Sequence, residues 1–350
     1  MTTVATSASR AGARPPLPAP RGPLSEAVLA ALARLGPADP APMLDAACGA
    51  AGRDGTDPFG DDLHLALYVC YELHYRGFDG VDDGWEWAPG LLALRAAMEH
   101  RFLAALRAET GQGDDVEGVL AEVLAEPADA YGVSHYLRDE GEWWHMREHA
   151  VHRSAYHLKE ADPHAWLIPR LRGQAKAALV AVEFDEFGGG RGEDMHARLF
   201  ADLMEDLGLD PGYGRYLDLV PGRMLAIVNM MSLFGLHRSL RGAMAGHFAA
   251  AEITTAPAAR RMAAALERLG ASPRCVRFHT EHIEADAVHE QVLRHDVLGD
   301  LLAGEPGLAG GVVFGIRATE FLEGRFGEHL LASWRAGRTS LLQALPSGSV

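Results

Sequence analysis

The sequence predicts an all-α protein folded as a compact multi-helix bundle, and three observations carry that prediction. Apolar residues recur at three- and four-residue spacing through most of the chain. Long β-branched runs with a period of two are absent, and GGVVFGI at 310–316 is the nearest approach to a strand. Apolar helical stripes must be buried against other helices, so a bundle is the expected outcome. At 350 residues and 48% hydrophobic, the chain can bury a substantial core as one large domain or two modest ones.

The elements follow in order. Residues 1–24 are rich in Ala, Pro, Ser and Thr and lack an apolar run, so they read as a disordered lead-in rather than a signal peptide. SEAVLAALARLG at 25–36 starts on a capping residue and stops at glycine. After the turn-rich GRDGTDPFGDD, Leu63, Leu67, Tyr71 and His74 mark a helix over 63–78. Pro89 starts a strong helix over 90–109, which GQGDD stops, and GVLAEVLAE follows. These make up an N-terminal helical region over 25–130. From 131 to 335 the pattern predicts helices at 140–160, at 168–187 with a continuation through the glycine cluster to 208, and at 215–235. Others follow at 238–252, 255–269, 275–297 and 311–325, and the tail after about 335 reads as loose.

Charge narrows the function. The net charge is -16, with 32 basic against 48 acidic residues and no Lys/Arg-rich block, which argues against a phosphate-tracking nucleic-acid surface. Carboxylates that hold cations would offset part of this excess. Cys48, Cys70 and Cys275 are scattered and odd in number, which suits a reducing compartment. No stretch approaches the roughly 20 apolar residues of a membrane span. A cytoplasmic location is expected.

Residues 279–290, HTEHIEADAVHE, place His282, Asp286 and His289 on one helical face, at offsets of four and seven. Such a stripe suits half a metal site, or an ordinary wet surface. EFDEFGGGRGEDMH supplies a second stripe: Glu186, Glu193 and His196 share a face if the helix runs through the glycines. Glu193 and His196 form an ExxH pair, the spacing by which di-iron carboxylate bundles hold two metals. Acids next to the apolar LFADLM are costly unless paired or metal-bound. Oxygen donors with several imidazoles and no thiolate favour iron or manganese over zinc. Cys275 reads as a buried structural cysteine. Glu183, three residues before Glu186, reads as a helix-surface acid or else as a partner supporting the ligands, Glu281, Glu284 and Glu290 as solvated, and Trp143, Trp144, Trp166 and Tyr156 as core or cavity lining.

These stretches, with YELHYRGF, WEWAPGLLALR and KEADPHAWLIPRL, resemble the heme-oxygenase-like di-iron oxidases and oxygenases, the iron-containing redox enzymes. The resemblance covers most of residues 60–325 and implies a heme-oxygenase-like helical bundle over 131–335 with additional N-terminal helices. It implies Glu160, Glu193, His196, His282, Asp286 and His289 as metal ligands. Glu186 matches the further carboxylate of the N-oxygenating branch, on which that branch's chemistry is expected to depend. The implied cofactors are two irons per chain, cycling between Fe(II) and Fe(III), with O2 as co-substrate. The chain lacks a flavin or nicotinamide motif, so an external electron donor is expected. N-oxygenation of an amine or guanidine in a small, polar, amino-acid-like substrate of specialised metabolism is the favoured activity. Desaturation or oxidative C–C cleavage on the same cluster is the alternative, followed by a non-catalytic helical binding protein and a cofactorless relative on the same scaffold. A homodimer is expected from how relatives assemble.

Overall fold

A computed structural model describes residues 14–345 except 35, 37–41, 52–54 and 128–129; the side chains of 42, 43, 45, 50, 284, 286 and 287 also lie outside the described set. The described residues contain no β-strand. Fifteen helices follow in chain order: α1 Pro23–Leu32, α2 Pro42–Ala51, α3 Asp61–Glu72, α4 Pro89–Thr110 and α5 Val116–Leu124. After these come α6 Val133–Asp139, α7 Trp143–His157, the single turn α8 Asp162–Ala165, α9 Gly173–Glu186 and α10 His196–Asp206. The set ends with α11 Gly222–Leu236, α12 Arg241–Arg268, α13 Pro273–Gln291, α14 Asp300–Gly304 and α15 Ala309–Arg335. The result is the expected all-α bundle of heme-oxygenase-like type with extra N-terminal helices.

The long α12 is the spine, packed against α13 on one side and α15 on the other, while α10 also lies on α13. Close approach of α12 and α15 depends on glycine. A methyl group at Gly315 would overlap the Ala243 carbonyl, and one at Gly246 would overlap the Val312 carbonyl. GGVVFGI, the nearest approach to a strand in the sequence, lies in the helix expected over 311–325: residues 310–316 are helical, and their glycines form a seam between helices. Residues 238–252 and 255–269, expected as separate helices, are mostly one, with Pro257 inside it. Thr254 and Thr255 donate hydroxyl hydrogen bonds to the Ala250 and Ala251 carbonyls in the turn before the proline. Packing on both sides outweighs the local cost of proline.

The N-terminal helices dock on this bundle through α3, which packs on α11. Asn229 of α11 donates to the His64 carbonyl. Residues 14–24, expected within the disordered lead-in, hold defined contacts: Asp79 N–H donates to the Pro15 carbonyl and Ala19 N–H to Asp218. Residues 1–13 lie outside the described set. The tail is also tied down, because Ser340 donates through both its N–H and hydroxyl to buried Glu148.

Candidate metal centre

Five segments deliver the candidate ligands. Helix α7 ends at His157, and Glu160 follows in a turn that closes with Ala161 at φ 71°. Positive φ at a non-glycine is unfavourable and marks a turn held by its surroundings. Glu160 is buried, and His157 Nδ1 lies 2.7 Å from its Oε1. On α13, His282 Nδ1 is 2.7 Å from the Phe278 carbonyl. Only a protonated nitrogen can bond a carbonyl, so Nε2 is left to face Glu160, 3.7 Å away. His196, the first residue of α10, brings its ring to 4.3 Å from that of His282, centroid to centroid.

Glu160, His196 and His282 form one buried triad whose ligand atoms lie within 4.8 Å of one another; Glu186, Glu252 and His289 form a second. Glu186, the last residue of α9, reaches both. Its Oε2 is 2.9 Å from His196 Nδ1, and its Oε1 is 3.6 Å from His289 Nδ1. Glu252 of α12 sits 3.2 Å from His289 Nδ1. A carboxylate with one oxygen toward each cluster is placed to link two cations.

The electrostatics describe a site short of positive charge. Burial pushes the Glu252 carboxyl up, and Glu186 pushes it further. Burial and the same two neighbours, Glu186 and Glu252, push Glu183 up to about 9. Burial opposes protonation of His289, but Glu252, Glu186 and Asp185 outweigh it and raise the imidazole to about 9. Burial also disfavours a charged Glu160, yet His157 and His282 together hold it well below the usual carboxylate range. Divalent cations would supply the missing charge and displace these protons.

Metals fit the donor set. Glu160 Oε2 is buried without a hydrogen-bond partner, and His196 Nδ1 lacks hydrogen-bond geometry despite its nearness to Glu186. Nitrogen and carboxylate donors without sulfur suit iron or manganese. Cys275 is buried on α13, and burial raises its thiol to about 12, in keeping with a structural cysteine. Beside the triads lies a cavity of about 620 Å³, lined by Glu160, Glu186, Glu252 and His282 from the metal side.

The structure gathers five of the seven expected ligands: Glu160, Glu186, His196, His282 and His289. Glu193 lies apart from both triads. It is exposed on the turn before α10, because the helix does not continue through the glycines. Gly188, Gly189 and Gly190 adopt φ of 70°, 61° and 84°, left-handed values that a right-handed helix cannot hold. Met195, just before α10, is also non-helical at φ -57° and ψ 134°, so Glu193 and His196 do not form an ExxH on one helical face. The side chain of Asp286 lies outside the described set. Glu183, expected on the helix surface, is buried at 2% exposure, and neither carboxylate oxygen has a hydrogen-bond partner. Glu252 was not anticipated. Its one signal is a lone acid within the apolar run HFAAAEI.

No curated protein matches the chain. A family model described as "Iron-containing redox enzyme" matches residues 147–324, slightly more than half of the chain. That span contains both buried triads, the whole of α9, α10, α12 and α13, and most of α7. With two candidate metal-binding clusters linked through Glu186 inside an all-α bundle, the chain belongs to the iron-containing redox enzymes of heme-oxygenase-like fold.

Proposed function

We propose that the protein is a non-heme di-iron oxygenase that N-oxygenates an amine or guanidine of a small amino-acid-like substrate. The observation that carries this reading is Glu186, a member of one triad whose Oε2 lies 2.9 Å from His196 of the other, at the position that resembles the further carboxylate of the N-oxygenating branch. Glu160, His196 and His282 would hold one iron, and Glu186, Glu252 and His289 the other. Bound iron would supply the activation of O2, with two electrons per turnover from an external donor. The chain's own residues do the rest. His157 fixes one oxygen of Glu160, and the Phe278 carbonyl sets the tautomer of His282. The cavity beside the triads holds the substrate. Glu183 is placed to keep a proton three residues from Glu186.

Anaerobic Fe(II) titration followed by mixing with O2 tests the reading. The expected result is about two irons per chain and a transient visible band that decays faster with substrate. With ¹⁸O2, the product should gain one labelled oxygen atom. A product that has instead lost two hydrogens would assign the cluster to desaturation, and failure to bind iron would reject the oxygenase altogether.

A further inference from the structure

The lining of the cavity carries a second set of charged groups that no metal reading uses. Arg153 of α7 and Glu323 of α15 both line the cavity and pair end-on, Nη1 to Oε1 at 2.8 Å and Nη2 to Oε2 at 2.7 Å. The guanidinium lies over the Phe326 ring, 5.1 Å from its centroid, which fixes its plane. Burial disfavours both charges, yet each partner outweighs it for the other, so Arg153 stays cationic and Glu323 anionic. Well-packed apolar residues often serve stability as well as a buried ion pair does. A pair retained on the wall of a cavity is therefore suited to binding.

The pairing leaves capacity on both sides. An arginine has five N–H donors and this contact uses two, so the Nε edge can still take a carboxylate side-on. Each Glu323 oxygen keeps a lone pair for a cation. His247, also on the cavity wall, adds a directional acceptor. Thr319 donates its single hydroxyl proton to the Gly315 carbonyl, so at 2.8 Å from His247 Nδ1 it can only accept. His247 is then a neutral Nδ1–H tautomer whose Nε2 lone pair is buried without a partner. Burial lowers this imidazole to about 4, which keeps it neutral.

We propose that Arg153, Glu323 and His247 form the recognition site for the head group of a zwitterion, a free α-amino acid. Its carboxylate lies on Arg153, and its ammonium lies between Glu323 and His247 Nε2. This rests on reading the cavity as the substrate site of the di-iron centre. Arg153 lies seven residues before Glu160 along α7 and its following turn, roughly 10 Å by helical rise. A head group bound at Arg153 thus leaves the metal triads within reach of the amino acid's side chain through the shared cavity.

The test needs no iron. Each common α-amino acid is offered at about 10 mM to the metal-free full chain and followed by saturation-transfer NMR. Every binder is compared with its decarboxylated amine and its N-acetyl acid. At least one free amino acid should bind, and removing either charge should weaken it by about tenfold or more. The Arg153→Gln, Glu323→Gln double variant removes both charges together, so neither is stranded. It should keep the wild-type circular dichroism and lose binding by about tenfold or more. The proposal is overturned if no amino acid binds, if the amine or N-acetyl acid binds equally well, or if the folded double variant binds like wild type. Should the double variant not fold, the comparison of ligands on the wild-type protein still decides. Iron loading keeps the two readings apart. A protein that binds amino acids but takes up no iron would end the oxygenase reading and leave the recognition site standing. One that loads iron but ignores zwitterions would do the reverse.

Discussion

Single residues divide the candidate site into what spacing reveals and what it hides. His282 and His289 are legible because two imidazoles seven apart on a helix share a face. Glu252 is not, since its partners come from helices distant in sequence and no local repeat points to it. Glu193 misleads for the opposite reason: its spacing is right, but the backbone between it and Glu186 is not helical. Glu252→Gln should therefore reduce iron from about two per chain toward one, while Glu193→Gln keeps both. Metal analysis after anaerobic loading decides, and loss of iron in Glu193→Gln alone would restore the ExxH assignment. His196→Ala, His282→Ala and His289→Ala should each fall below about one iron per chain. Protonation gives a second residue-scale outcome for the metal-free protein. Glu183 and His289 both hold protons in the folded chain up to about 9. Unfolded, the carboxyl would ionise from about 4.3 and the imidazole would deprotonate from about 6.5. The folded state binds more protons across those windows, so both contributions to stability are lost as pH rises toward 9. Thermal melts should show this fall between pH 6.5 and 9, and Glu183→Gln should make it shallower. An equal slope in that variant would remove Glu183 from the account.

Elements were legible in kind more than in extent. Periodicity finds helices because the buried stripe is a local property, and every strong apolar stripe in the chain became one. Their limits depend on backbone conformations and neighbours that periodicity does not record. The GGG cluster could be a flexible stretch of one helix or a break between two. The left-handed values at all three glycines make it a break, and the chain folds back on itself there. A Cβ at Gly188 would lie 2.6 Å from the Asp194 carbonyl carbon and the Met195 nitrogen, both backbone atoms that cannot swing aside. Gly188→Ala should cost about 1–3 kcal/mol, from positive φ and this overlap together. Because the turn delivers His196, that variant should also load iron less tightly. Gly246 and Gly315 hold the α12–α15 seam, and Gly315→Ala should cost about 1–3 kcal/mol through overpacking. It should leave iron stoichiometry intact, since the seam touches neither triad. Melting temperature and metal content, measured together on the two variants, separate a turn that serves the site from a seam that serves the fold.

At the scale of the whole molecule, the N-terminal helices help the matched family region to hold its ligand turn. Lys159, next to Glu160, is only 1% exposed, and its ammonium is 2.8 Å from the carboxylate of Glu72 at the end of α3. Tyr213 donates to the same carboxylate at 2.7 Å, and the rings of Tyr68 and Tyr75 lie 4.6 and 4.3 Å from the ammonium. Arg76 donates to the Leu158 carbonyl from the same side. Residues before 130 thus clamp Leu158 and Lys159, the two residues that lead into Glu160, so the N-terminal helices support the metal centre as well as the core. Removing one member of the pair strands a buried charge. Glu72→Leu should therefore destabilise the protein by about 3–5 kcal/mol, whereas Glu72→Leu with Lys159→Met should recover most of that loss. Iron distinguishes a clamp from a plain ion pair. The double variant has regained stability but lost the direction that the ion pair imposes on residues 158–161. It should bind the first iron normally and the iron at Glu160 more weakly, by about tenfold. Wild-type affinity for both irons in the stable double variant would confine the Glu72–Lys159 pair to the core and detach the N-terminal helices from the chemistry.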